Sequence, residues 1–94
     1  MERAEAERLA REALEEIEFH GELVLMADKA REGPSAWLFV YNTKRFVETG
    51  DLREGIVGAG PLLVDQETGE VLHAPNTVQP DEILRRHAAG LPLA

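Results

Sequence analysis

Three histidines, one serine and a run of glycines are the residues whose types invite a chemical reading of this chain. His20, His73 and His87 are spread along the sequence, and no two stand at helical spacing. Without a His-x-His or His-x-x-x-His pair, the spacing builds no metal site. His73 is the most suggestive of the three, because its stretch reads as a last strand beside the central ones, where an imidazole can hydrogen-bond a buried carboxylate. Ser35 is the only serine, and it follows Gly33 and Pro34 without the Gly-x-Ser-x-Gly elbow of a serine hydrolase. Cysteine is absent, which removes thiol catalysis, disulfides and thiolate zinc sites. Paired acids such as Glu15 and Glu16 read as part of a solvated helix face, which offers no general-acid site. Gly55, Gly58 and Gly60 spell G-x-x-G-x-G. That is not the dinucleotide-binding order, and the run precedes a strand instead of opening a helix onto a phosphate. It reads as a backbone corner that needs close packing. The residues therefore assign no catalytic group, no cofactor and no metal.

Two further features point to contact, not reaction. Trp37 is the residue type that anchors interfaces, but aromatic neighbours two positions on favour burial in the core. Lys44, Arg45 and Phe46 put a basic pair and an aromatic directly after a core strand, in a chain whose net charge is −8.

The elements that must position these residues follow from periodicity. Leu9, Ala10, Ala13, Leu14 and Ile17 form one apolar stripe, predicting a helix over 2–19 with Gly21 ending it. Seven Glu and three Arg fill its other faces. Residues 22–28 read as a first strand, and 28–35 as a turn or loop around Gly33-Pro34. Residues 36–42 read as a central strand, with Trp37, Phe39 and Tyr41 on one face and Ala36, Leu38 and Val40 on the other. The first helix covers only one of those faces.

Residues 43–59 have no period of two, yet are too long for a structureless loop in a small domain. They read as two helical turns. Thr43 caps the first, Phe46 and Val47 anchor it and Gly50 ends it. Asp51 caps the second, Ile56 and Val57 anchor it and Gly58 ends it. Residues 61–65 and 70–74 read as a hairpin about the Asp65–Gly69 turn. A second helix over 80–89 starts at Pro80, with Asp81 and Glu82 in its first turn and Arg85, Arg86 and His87 in its last.

A chain of 94 residues is one domain, 1–94, with room for one modest core. The expected architecture is α+β: an N-terminal helix packed on an antiparallel sheet of about four strands, with a short C-terminal helix. The acidic balance opposes binding to nucleic acid or anionic membrane. The first ten residues are acidic where a signal peptide is basic and then apolar, and no run approaches a membrane span, so a cytoplasmic protein is expected.

The order W-L-F-V-Y-N at 37–42, R-F-V-E-T-G-D at 45–51, G-x-G-P-L-L-V-D at 58–65 and T-G-E-V at 68–71, followed by the helix after Pro80, resembles the YrhB-like family, also classed as immunity protein 35. Ala59 departs from the asparagine usual in that family's G-N-G-P corner. The resemblance implies a non-enzymatic protein that binds and neutralises a cognate bacterial polymorphic toxin encoded nearby, with no catalytic residues to transfer. On this reading Arg45, Phe46, Asp51 and Arg53 are the expected partner-binding residues, and the Glu-rich first helix a second contact. A homodimeric or chaperone-like protein is the alternative, motivated by the sheet face that the first helix leaves uncovered.

Overall fold

The structure is a computed structural model that describes residues 1–56 and 58–93. Its first element, α1 (Arg3–Glu15), buries Ala6, Ala10 and Leu14. The helix stops earlier than its composition suggests. Glu16 N–H turns back to the Ala13 carbonyl and Ile17 N–H to that of Leu14, both at 3.1 Å. Its last turn has no basic residue, and Glu15, Glu16 and Glu18 crowd the negative end of the helix dipole. Gly21 is thus not its terminator.

Six short strands follow among the described residues: β1 (Leu23–Leu25), β2 (Arg31–Glu32), β3 (Ala36–Phe39), β4 (Tyr41–Thr43), β5 (Leu62–Asp65) and β6 (Val71–His73). They form a four-stranded antiparallel sheet in the order β2-β3-β5-β6 and a two-stranded ribbon of β1 and β4. Between β1 and β2 lies a 3₁₀ turn at Ala27–Lys29. The segment expected to be a loop therefore contains a strand. β2 is two exposed charged residues long, too short and too polar to show a period.

The expected single strand over 36–42 divides at Val40. Up to Phe39 it pairs with β5, with Phe39 opposite Leu62. Val40 then accepts the Met26 N–H at 2.8 Å, and Tyr41 pairs with Leu25 of β1. The alternation of faces survives the change of partner. Trp37 and Phe39 join Ala6, Ala10, Leu14, Leu62 and Val64 in one cluster under α1, with Tyr41 packed beside them. Ala36, Leu38 and Leu63 face the other way and pack on Ile83 and Leu84 of α3 (Pro80–Ala88), with Val40 alongside.

The fold is therefore three layers, helix–sheet–helix, and α3 covers the face that α1 does not reach. The surplus apolar face behind the homodimer or chaperone-like alternative is filled from within the chain. Trp37 is 9% exposed and stacks on Phe39 with ring centres 6.3 Å apart, so it is a core residue and not an interface anchor. α3 follows its sequence cues: Pro80 in the first turn, acids at its start, basic residues at its end.

The glycine corner is steric. A Cβ on Gly60 would sit 1.7 Å from the Ala74 carbonyl oxygen, so only glycine lets the chain pass β6 at that point. Residues 43–56 leave from β4, the ribbon strand that continues β3.

Candidate functional site: a capped lobe beside the sheet

The segment after β4 forms a small lobe made of α2 (Lys44–Thr49) and a 3₁₀ turn at Leu52–Glu54. Local hydrogen bonds define it. Thr43, 5% exposed, accepts the Phe46 N–H at 3.0 Å and donates its hydroxyl to the Glu54 carbonyl at 2.7 Å. One threonine thus caps the first turn and ties down the second. Gly50, at φ +71°, ends α2, as a left-handed C-terminal residue should. Asp51 accepts the Arg53 N–H at 3.0 Å and opens the second turn. That turn ends at Gly55, three residues before the expected Gly58. Val57, expected to help anchor it, lies outside the described residues.

Both ends of the lobe meet on one atom. Asn42 Oδ1 accepts the Thr43 N–H at 2.8 Å and the Ile56 N–H at 2.9 Å. Phe46 is the wedge beneath, half-buried, with its ring against Gly55 so closely that a Cβ there would stand 3.0 Å from it. Val47, expected as a second anchor, is 46% exposed. A six-residue helix offers one inward position, and Val47 is turned about 100° from Phe46.

The four expected contact residues come together here in two roles. Arg45 and Arg53 are the outward groups, with side chains 73% and 89% exposed. Arg45 pairs with Glu54 at 3.2 Å, and Arg53 forks onto the Asp51 carboxylate at 3.1 and 3.2 Å. The Arg53 side chain, then the Arg53 N–H, hold the Asp51 carboxyl below its usual value. Phe46 and Asp51 shape the lobe; they present little of themselves. Leu52, which sequence reasoning passed over, is 76% exposed at the tip. Its signal was an apolar residue directly after a capping aspartate, where a short turn leaves the side chain outside.

Beside the lobe runs a groove of about 490 Å³. One wall is the stacked pair Phe19 and His20, with ring centres 4.5 Å apart. The other wall is Lys44, Arg45 and Arg53. Lys44 reaches Glu22 at 3.5 Å across it.

A second constellation lies on the far side of the sheet. His73, expected to meet a carboxylate, is exposed on β6. His87 does so instead, its Nε2 lying 3.2 Å from Asp65 Oδ2 and its Nδ1 2.5 Å from Ser35 Oγ. The carboxylate only accepts, so in the neutral ring Nε2 carries the proton and Nδ1 accepts from the Ser35 hydroxyl. Ser-His-Asp in this order polarises a hydroxyl in hydrolases. The neighbouring backbone donors, however, are committed. Gly33 N–H goes to the Ala36 carbonyl, Gln66 N–H to that of Ser35, and Glu67 and Thr68 N–H to Asp65 Oδ1. None of these four is left to hold an oxyanion. The group reads as a clasp joining two hairpins to α3. Thr68 and Glu67 N–H, and more weakly the charge of His87, lower the Asp65 carboxyl from its usual value. Among the described residues no three His, Asp or Glu are placed to hold a metal ion.

The immunity protein 35 family matches residues 4–87, and the chain belongs to that family. The chain is also 31% identical over 62 residues to a protein of Escherichia coli (strain K12) named as the uncharacterized protein YrhB, a match covering 60% of this chain and 65% of that one. No solved structure matches the chain.

Proposed function

We propose that this protein neutralises a bacterial toxin domain by direct, non-catalytic binding in the cytoplasm, and that the 43–56 lobe is a principal contact surface. Membership of the immunity protein 35 family supports the class of activity. The lobe supports the location: it lies outside both core clusters, and it presents Leu52, Val47, Arg45 and Arg53 outward on a hydrogen-bonded frame. An exposed apolar tip flanked by arginines is the composition of an interface centre. The toxin's own surface is expected to be basic in part, since this chain carries −8 and would steer such a partner.

The test is to co-express the protein with the toxin domain encoded beside its gene and to measure survival and co-purification. Leu52→Ser with Arg53→Ala should weaken the complex by about 2 kcal/mol or more, roughly thirtyfold. The variant's unfolding free energy should stay within about 0.5 kcal/mol of the parent's, because both side chains are exposed. No complex and no protection would remove the proposed activity. A complex untouched by the double variant would move the contact off the lobe.

A further inference from the structure

The two edges of the four-stranded sheet differ. β2 is closed to further pairing: it is two residues long, both charged, and Arg31 is tied to Asp81 of α3 at 2.7 Å. β6 has none of these protections. Its residues are Val71, Leu72 and His73, with no proline, lysine or arginine among them.

The register shows which of its backbone groups are spent. Leu72 stands opposite Leu63, Asp65 N–H bonds to the Glu70 carbonyl and Ala74 N–H to that of Pro61, both at 2.9 Å. Residues 70, 72 and 74 therefore hold the hydrogen bonds to β5. Val71 and His73 form the non-bonded pairs with Val64 and Leu62. Their N–H and C=O groups point away from the sheet, and no partner for them occurs among the described residues. That is the outward half of a ladder about 10 Å long.

We propose that the β6 edge receives an extended, basic segment of the partner, added as a fifth strand; this rests on reading the protein as a toxin-binding immunity protein. Side chains of a segment paired there would fall on the α1 side of the sheet, into a groove of about 410 Å³. Its floor is apolar, made by Leu9 and Ala13 of α1, Ile17 just beyond its end and Val71 of β6. Its wall is acidic, formed by Glu12 and Glu16. Glu12 shares Arg8 with Glu5, whereas Glu16 and, at the entrance to β6, Glu70 have no ion-pair partner among the described residues. An apolar side chain on the floor and a Lys or Arg two positions on match this lining. A second copy of the chain does not. Two β6 edges paired about a twofold axis would set both acidic walls along one seam, like charge against like.

The experiment is an NMR titration of the isotope-labelled protein with a capped hexapeptide alternating threonine with valine and lysine, beside the same peptide with glutamate for lysine. The lysine peptide should shift the Val71 and His73 amide resonances and slow their hydrogen exchange, while the glutamate peptide should bind at least about tenfold more weakly. His73→Pro removes an N–H that β5 does not use, so it should leave the ladder intact and abolish the effect. Glu12→Lys with Glu16→Lys should reverse the preference between the two peptides.

Equal binding of both peptides, shifts confined to 43–56, or binding unchanged by His73→Pro would each overturn the proposal. So would concentration-dependent dimerisation that protects Val71 and His73 with no peptide present. Each outcome is independent of co-purification with a toxin domain, which tests the activity itself.

Discussion

The sheet interior and the 43–56 lobe are held by different forces. Around β3 and β5, Leu38, Phe39, Leu62, Leu63 and Val64 are wholly buried, and both faces of the strands are covered by helices. In the lobe no residue of α2 or of the turn after it is buried, and the shape is kept by caps, one shared carboxamide oxygen and a wedge of phenylalanine. The interior is thus stabilised by area removed from water and the lobe by directed hydrogen bonds. Changes in the first should cost stability, and changes in the second should cost shape or binding.

The largest effect is expected at Phe39. Phe39→Ala removes a fully buried ring between α1 and the ribbon and should destabilise the fold by about 3–5 kcal/mol, read as a fall in the urea midpoint with the slope unchanged. A loss below about 1 kcal/mol would mean that the sheet interior is not the main source of stability. Thr43→Ala is the matching change in the lobe. It deletes the α2 cap and the bond to Glu54 together, at about 1–2 kcal/mol. The loss should be local: amide exchange across 44–55 should quicken while β3 and β5 keep their protection. Uniform loss of protection would show that lobe and sheet melt as one unit.

A smaller effect concerns acid. Thr68 and Glu67 N–H lower the Asp65 carboxyl in the folded chain relative to its usual 3.8. The folded state then releases this proton more readily than the unfolded state. Asp65 contributes its full stabilisation above the usual value, and that contribution fades as pH falls through the lower, folded one. Asp65→Asn should flatten the acid limb of a stability–pH profile, with little change in that limb's shape from Leu52→Ser, which touches no titrating group. An unaltered acid limb would remove Asp65 from the account.

Which of these features sequence reasoning reaches depends on the range of the interaction. Caps are local. Thr43, Gly50 and Asp51 can be assigned because each caps within four residues of itself. The two faces of 36–42 were equally legible, since alternation does not depend on which strand lies alongside. The change of partner at Val40 was not legible, because it depends on where Met26 falls in space. The same limit explains the histidines. His87 meets Ser35 across 52 positions, and nothing near either residue signals it. His73 was overvalued for a related reason: period two marks a strand but does not say whether that strand lies at the rim. Charge marks Arg45 and Arg53 and ring type marks Phe46, yet the division into outward arginines and an inward ring is set by how the lobe folds on Gly55.

Asn42 has a consequence for how such a protein diversifies. Entry and exit of the 43–56 excursion are stitched to the same amide oxygen, so the chain returns to within one side chain of where it departed. An excursion closed in this way is a cassette. Its tip can be rewritten, lengthened or recharged while the strands on either side keep their register and their neighbours.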